Sequence, residues 1–372
     1  MEHVDTVIIG AGQAGLATAY HLARRDQQCV VLDRARRVGD QWRRQWDSLR
    51  LYSPARYDAL PGLPFPGDPW DFPGKDDVAA YLESYARHWS LPVRLGVAVE
   101  RVTPAEGGGF VVHTSAADGQ AAAGSLHCHQ LVVATGTFGR FPVIPDEASQ
   151  LDPSILQLHS SEYRRPAQLR RAGARGRRLP LGHRHRLRAG RVAPDDARGS
   201  RLRPDPDPTG LAGVEAVFPV LVFAWRHLLT RRTPLGRKEM GLIRHHGGPM
   251  LRVKRADLAA RGVVRNPARF VGVDGGLPVL ADGSVLEVAT VVWATGFRQS
   301  FDWLALPVPM VDGWPRELRG EVAEVPGLFF CGLSFQYAFS SMLLAGVGRD
   351  AEHVAARIVA RAPRAAAVGQ PA

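Results

Sequence analysis

The chain opens on an unbroken apolar, β-branched run, Thr6-Val7-Ile8-Ile9, the pattern of a strand buried on both faces of a parallel sheet. It runs into Gly10-Ala11-Gly12-Gln13-Ala14-Gly15, and then into Leu16-Ala17-Thr18-Ala19-Tyr20-His21-Leu22-Ala23, which predicts a helix. A second apolar run, Cys29-Val30-Val31-Leu32, predicts a second buried strand that ends on Asp33. Two further strands, Leu131-Val132-Val133 and Val291-Val292-Trp293, each run into Ala-Thr-Gly, ending at Gly136 and Gly296. Val279-Leu280, Asp282-Gly283 and Val285-Leu286 predict a hairpin turning at Asp-Gly, and the stretch from Gly247 to Leu258 predicts a turn followed by a helix. The run from Leu211 to Leu229 is long enough to span a bilayer, but it contains Glu215, Pro219, Arg226 and His227. It therefore predicts a buried or amphipathic helix and no integral membrane span.

Strand, glycine turn, helix, strand and acid in that register have a chemical meaning. Gly10 permits the tight turn, Gly12 lets backbone approach a pyrophosphate, and Gly15 lets the helix lie close on the strand. The pyrophosphate then meets the free N–H groups and the dipole of a helix N-terminus. Asp33, 23 residues beyond Gly10, accepts hydrogen bonds from an adenosine ribose and disfavours a 2′-phosphate. A dinucleotide site is expected here.

Composition narrows the class. With 372 residues and 45% hydrophobic side chains, the chain is globular and large enough for two domains or one large α/β unit. Three cysteines without a CxxC pair exclude a disulfide scaffold and a dithiol redox centre. Cys29, Cys128 and Cys331 are expected as buried thiols of a reducing compartment. In His127-Cys128-His129 strand alternation places the cysteine opposite the two histidines, so no metal site is expected. The N-terminal residues show no basic, apolar and small-residue pattern of a signal peptide, and the expected location is cytoplasmic. The net charge of +11 first suggests a nucleic-acid or anionic partner. Its distribution changes that: residues 164–203 hold 14 arginines and two acids, a local net of +12, while the rest holds 33 bases and 34 acids. No nucleic-acid partner is expected, since the block lacks the interleaved aromatics of a single-strand binder.

Further motifs resemble a known family. Gly39-Asp40-Gln41-Trp42-Arg43 resembles the GGxW segment of flavin-containing monooxygenases, with Asp40 at the second glycine. The segment Trp46-Asp47-Ser48-Leu49-Arg50-Leu51-Tyr52-Ser53-Pro54 resembles the bacterial branch that includes CzcO-type flavoproteins, and is similar to the plant YUCCA enzymes. The two Ala-Thr-Gly strands resemble the passages between that family's nucleotide domains. Pro326 to Leu333 resembles its strand returning to the flavin, and Ser340 to Asp350 its final helix. The resemblance implies an α/β fold with two dinucleotide-binding domains: a Rossmann-like FAD domain in two pieces, about 1–165 and 291–372, around an inserted NAD(P)H domain, about 166–290. It implies that Gly10, Gly12, Gly15 and Asp33 hold the ADP half of FAD. Gln41, Trp42 and Ser53 would lie by the riboflavin half, Gly136 and Gly296 at the domain junction, and Gly332 and Leu333 near the isoalloxazine. Ser341, Met342 and Leu344 are expected near flavin or substrate. His159 and Tyr163 match the histidine and aromatic of the family's junction fingerprint, and His159 is expected to be a hinge residue rather than an acid–base group.

The implied activity is flavin oxygenation. NADPH reduces FAD, O2 adds to give a C4a-(hydro)peroxide, and one oxygen passes to a small organic substrate, an N- or S-nucleophile or a carbonyl compound. No catalytic side chain is assigned, because the cofactor carries this chemistry. The family's second GxGxxG, for NADPH, falls where this chain has Arg170-Arg171-Ala172-Gly173-Ala174-Arg175-Gly176-Arg177-Arg178. Three lysines against 44 arginines point to a GC-rich gene with arginine encoded as CGN, and reading one base later turns each CGN into GNN. The shifted codons permit Gly-Pro-Val-Leu-Val-Val, a glycine and a helix-like run, which resembles the family's second strand and turn. A compensated frameshift across roughly 171–203 is therefore expected. The alternatives are an FAD-binding pseudoenzyme unable to use NADPH, or a true basic arm for nucleic acid or acidic lipid.

Overall fold

The computed structural model describes residues 1–117, 124–136, 141–170, 213–245 and 255–361. The arginine-rich stretch with its expected frameshift, the turn at Gly247 and the tail after Ala362 lie outside the described residues. In chain order the first half holds β1 (Glu2–Ile9), α1 (Gln13–Ala23), β2 (Cys29–Asp33), α2 (Asp40–Arg43), α3 (Lys75–His88), β3 (Val93–Leu95), β4 (Val97–Pro104), β5 (Phe110–Ala116), β6 (Gly124–Val133), β7 (Phe141–Pro142) and β8 (Leu156–His159). There follow α4 (Val214–Phe223), α5 (Pro234–His245), α6 (Arg255–Ala260), β9 (Phe270–Asp274), β10 (Leu277–Leu280), β11 (Thr290–Trp293), β12 (Phe297–Arg298), β13 (Met310–Val311), β14 (Trp314–Pro315), β15 (Leu328–Phe330) and α7 (Leu344–Arg361).

The principal sheet runs β3-β2-β1-β6-β5-β4, with β15 added to β6. Pairing is parallel from β3 to β6 and from β6 to β15, and antiparallel for β4, β5 and the first half of β6. Alternation divides the strands between two cores. Ile8, Val31, Val132 and Phe329 pack with Leu16, Leu22, Tyr85, Val347 and Ile358 of the helical layer α1, α3 and α7. Val7, Ile9, Leu131, Val133 and Phe330 face the other way, onto Val102, Val112, Phe301, Leu304 and Trp314. Parallel strands covered on both sides explain why their sequences are unbroken apolar runs. Cys128 lies on the buried side, with His129 exposed beyond it.

A smaller unit is built on β8 and β11, parallel in the register Leu156↔Thr290 to His159↔Trp293, with the antiparallel pair β9–β10. Ala148, Leu151, Ile155 and Trp293 form its core. The expected hairpin is only part of this arrangement. The Asp282-Gly283 turn is present, with Val279 bridging Val285, but the main partner of β10 is the upstream strand β9.

Helices α4 and α5 lie over the loops around Phe72 and Ser334 of the large unit. Phe218 and Val222 of α4 pack on Phe72, with Tyr57, Trp70 and Trp225 around them. Backbone ties join Phe339 N–H to Leu229 O and Arg231 N–H to Tyr337 O, both at 2.9 Å. The apolar run is thus helical as expected, but broken after Phe223 by a π-turn, Ala224–Leu228, and Val220 and Phe223 are exposed. Among the described residues no helix is long and apolar enough to cross a membrane.

Candidate functional site

The chain leaves β1 by α1 to β2 on one side and later returns to β6 on the other, so β1 and β6 flank a topological switch point, where open α/β sheets bind ligands. Gly10 sits there. Its φ is +108°, and a Cβ on it would lie 2.5 Å from Ala134 O, so only glycine fits. Gly15 is equally constrained, since its Cβ would come within 1.9 Å of Gly10 O. Gly12 differs: nothing stands within 4 Å of the position its Cβ would take. The space over Gly12 is open, and Gly12 begins α1 without a side-chain cap. The α1 ladder starts with Leu16 N–H to Gly12 O at 3.0 Å, which leaves the N–H groups of the first turn without helical acceptors. An open glycine beneath an uncapped helix start fits a pyrophosphate.

Asp33, at the end of β2, reaches back to this turn. Its Oδ2 accepts Ala11 N–H at 2.7 Å and its Oδ1 accepts Ala35 N–H at 2.7 Å. Each oxygen keeps a second lone pair for a ribose hydroxyl, so the acid both shapes the turn and remains able to take a ligand.

The segment after β2 gives the family-like residues different settings. Gly39 is left-handed (φ +86°), and its Cβ would meet Ala79 O at 2.6 Å. Asp40 begins α2 and caps the turn, accepting Arg37 N–H at 3.2 Å and pairing with Arg43 at 3.0 Å. The second glycine is therefore not needed at that position. Trp42 packs half-buried on the main core, while Gln41 is exposed. Ser53 donates to Asp58 Oδ1 at 2.6 Å. Asp58 is 1% exposed, and its Oδ2 is buried without a partner among the described residues. Burial pushes this carboxyl up to about 8, against the opposing pull of the Ser53 hydroxyl. Tyr81 secures the loop that follows, accepting Leu60 N–H and donating to Leu63 O, both at 2.7 Å.

The third side comes from β15 and the loop before α7. Gly332 turns at φ +85°, and its Cβ would lie 2.7 Å from the Cβ of Ala14 in α1. Leu333 is buried beside it. Gln13, in the glycine-rich turn, donates from Nε2 to Met342 O at 2.9 Å, joining segments 329 residues apart. Ser341 is buried and its Oγ accepts the N–H groups of Tyr337 and Ala338, each at 3.0 Å. This hydroxyl holds residues 339–342 as a 3-10 turn, and the final helix starts at Leu344 rather than at the expected Ser340.

The two Ala-Thr-Gly segments mark the passage between the units. Gly136 (φ +82°) and Gly296 (φ +84°) are both exposed and left-handed. Gly296 O accepts Val143 N–H at 3.0 Å. His159, 1% exposed, spans the same junction: Nε2 is 3.1 Å from Gly296 O and Nδ1 is 2.9 Å from Ser161 Oγ. Its ring lies edge-on to Phe297 at 4.9 Å. Both nitrogens are engaged, which suits a structural tie at the hinge.

Sequence reasoning missed Gln13, Asp58, Asp350 and the Arg231–Glu317–Arg244 cluster. Glu317 is buried with Arg231 Nη1 at 2.5 Å and Arg244 Nη2 at 4.0 Å. Burial pushes Glu317 up against the pull of Arg231, and burial with the charge of Arg231 brings Arg244 down to about 10. Nothing in the local sequence around these residues sets them apart from polar and charged side chains of ordinary surface segments.

Comparison with known proteins bears on the family and the fold. Residues 7–170 match the pyridine nucleotide-disulphide oxidoreductase family. An uncharacterised CzcO-like oxidoreductase of Geobacillus kaustophilus is 33% identical over 363 residues, covering 95% of this chain and 98% of that one. A probable indole-3-pyruvate monooxygenase, YUCCA7 of Arabidopsis thaliana, is 29% identical over 80% of this chain and 75% of its own. A doubly substituted flavin monooxygenase of Stenotrophomonas maltophilia superposes with a TM-score of 0.66 at 25% identity, covering 97% of this chain and 99% of that one. With its two-domain α/β architecture, the chain belongs to the CzcO-like oxidoreductases of the flavin monooxygenase family.

Proposed function

We propose that this enzyme is an FAD-dependent monooxygenase. NADPH supplies two electrons, O2 supplies one oxygen atom to a small organic substrate, and the second oxygen leaves as water. FAD, when bound, supplies the redox and oxygen-activating chemistry. The observation that carries the proposal is the open cradle over Gly12, at the switch point and beneath an uncapped helix start. Here the first-turn N–H groups take the pyrophosphate, Gly10 and Gly15 hold the turn, and Asp33 takes the ribose. Gln41, Trp42 and Ser53 are assigned to the riboflavin half, with Gly332 and Leu333 against the ring. Gly136 and Gly296 are assigned to the passage between an FAD domain, 1–165 with 291–372, and an inserted NADPH domain, 166–290. N- or S-nucleophiles and carbonyl compounds are the substrate classes to screen.

The test is one absorbance spectrum of the purified protein, followed by anaerobic addition of NADPH. A yellow protein bleached by NADPH is expected. A colourless protein, still colourless after incubation with FAD, defeats the proposal. A yellow protein that NADPH does not bleach would instead be an FAD-binding protein without a working NADPH site.

A further inference from the structure

We propose that the outward face of α4, the π-turn after it and α5 is a docking surface for an anionic lipid bilayer. The chain would lie on the membrane through Val220, Phe223, Leu228, Leu235 and Leu242, with a fringe of cations at the headgroups.

Both helices are seated on the large unit, which fixes the face each turns outward. Phe218 and Val222 of α4 go inward to Phe72. Trp225 packs on Phe339, with ring centroids 5.5 Å apart, and buried Thr230 bridges Ala338. Arg244 of α5 donates from Nη2 and Nε to Ser334 O at 2.9 and 3.1 Å. Trp225, Thr230 and Arg244 thus all meet one short stretch, 334–339. The connection between the helices is tight. Thr233 Oγ1 donates to Leu228 O and accepts Gly236 N–H at 3.0 Å, and a Cβ on Gly236 would lie 2.0 Å from Thr230 O. Leu228 and Leu235 therefore stand at the two ends of one hydrogen-bonded turn.

What remains outside is largely apolar. Ala216, Val220 and Phe223 follow one another at helical spacing on the exposed side of α4, and Leu235, Lys238 and Leu242 do so on α5. Val220, Phe223, Leu228, Leu235 and Leu242 are between 45% and 67% exposed. A single exposed apolar side chain is ordinary. Several on two adjoining helices form a patch, and such a patch marks contact with a partner or a membrane.

The charges decide which. Arg232, Arg237 and Lys238 are exposed at the turn and on α5. Of the acids in 213–245, Glu239 is half-buried, and exposed Glu215 lies at the far start of α4. A second copy of this face would bring like charges together, which opposes a symmetric dimer. A nucleic acid would need aromatic platforms, but among the five apolar side chains only Phe223 is aromatic. Aliphatic side chains beside arginine and lysine suit the boundary between acyl chains and anionic headgroups, where long cationic side chains reach out to the phosphates. At ten residues α4 is far short of a span, so the face lies on the surface without crossing it.

The test uses the full chain with vesicles of phosphatidylcholine, alone or with about one third phosphatidylglycerol, read by co-sedimentation. Wild type should sediment with the anionic vesicles and far less with the neutral ones. The 14 arginines of 164–203 would also draw the chain to anionic lipid, so the variants decide. Phe223→Ser with Leu235→Ser should weaken binding about a hundredfold, roughly tenfold for each side chain withdrawn from the acyl boundary. Arg237→Gln with Lys238→Gln should weaken it about 25-fold, roughly fivefold per cation. Insertion is read separately from Phe223→Cys carrying an environment-sensitive fluorophore, with Val271→Cys, exposed on β9, as the control away from this face. The unsubstituted chain treated with the same dye serves as blank. The label at 223 should shift to the blue and be quenched by nitroxide lipids, while the label at 271 should do neither; this readout carries the test if the double serine variant does not fold. Binding that survives both serines within about threefold, or equal responses at 223 and 271, would overturn the proposal and leave the arginine-rich stretch as the lipid contact. Wild type that ignores anionic vesicles would overturn it as well, and a dimer lost in the serine variant would then assign the face to a second copy.

Discussion

Gly12 and Gly15 look alike in sequence, yet their surroundings predict opposite outcomes for the same substitution. In Gly12→Ala the new methyl meets no protein atom within 4 Å, and φ at this residue is −82°, which alanine adopts freely. The structural penalty is that of a poorer N-cap, about 1 kcal/mol, and a chain of this size then loses only about 2 °C in Tm. The same methyl fills the space assigned to the pyrophosphate. Removing two charge-assisted hydrogen bonds to the helix N–H groups costs about 3 kcal/mol or more, a loss of FAD affinity above about 100-fold. In Gly15→Ala the methyl lies 1.9 Å from Gly10 O, so the backbone of the turn must move, at about 3 kcal/mol or more. The assay is flavin titration together with differential scanning calorimetry of the apoproteins. Gly12→Ala should keep its Tm and lose FAD, whereas Gly15→Ala should lose both. If Gly12→Ala binds FAD within threefold of wild type, the open space is not the pyrophosphate site. If its apoprotein melts as low as Gly15→Ala, Gly12 is there for packing.

Three further outcomes follow from buried groups. Asp58 has a folded pKa of about 8 against about 3.9 unfolded, so the folded state binds the extra proton between these values. Stability is therefore highest below about pH 4, falls as pH rises to about 8, and is flat above; the fall is a few kcal/mol. Asp58→Asn should flatten that slope in denaturation curves from pH 5 to 8, and an unchanged slope would show the carboxyl to be ionised throughout. Glu317→Gln leaves Arg231 and Arg244 facing each other without their anion, at a cost of about 3 kcal/mol; chemical denaturation reads it, and a loss below about 1 kcal/mol contradicts the pairing. Phe218→Ala removes the aromatic that seats α4 on Phe72 and Tyr57, at about 3 kcal/mol locally. Hydrogen exchange should quicken across 213–245 while β1 and β6 stay protected; equal protection throughout would show α4 to be held elsewhere.

The β1–α1–β2 unit was legible because its determinants are local. A buried parallel strand must be apolar throughout, a phosphate turn must be glycine, and the acid must follow the second strand, all within 33 residues. The family resemblance starts the final helix at Ser340, whereas the folded chain starts it at Leu344. Only the folded chain shows Ser341 spending its oxygen on Tyr337 and Ala338. The β10 turn was legible at Asp282-Gly283, but its partner strand was not, since pairing choice depends on which apolar face needs covering.

What sequence concealed is the burial of two acids, Asp58 and Asp350. Asp58 follows Arg56-Tyr57 and precedes a proline-glycine turn, a setting in which aspartate is normally solvated. Asp350 stands between Arg349 and Glu352 on a helix whose exposed face is charged. Burial decides their chemistry, and burial comes from α3 meeting the 60–63 loop and α7 meeting the 337–342 turn, contacts that no local window contains. The glycine turn and Asp33 can thus be recognised from motif alone, while the burial of these acids belongs to the tertiary structure. The two acids should also answer differently to pH: Asp58 has one hydroxyl partner, Ser53, and no ion pair among the described residues, whereas Asp350 has Arg349 at 3.4 Å. A flavin spectrum that changes between pH 7 and 9 in wild type and in Asp350→Asn, but not in Asp58→Asn, would assign the change to Asp58. Persistence of the change in Asp58→Asn would refute that assignment.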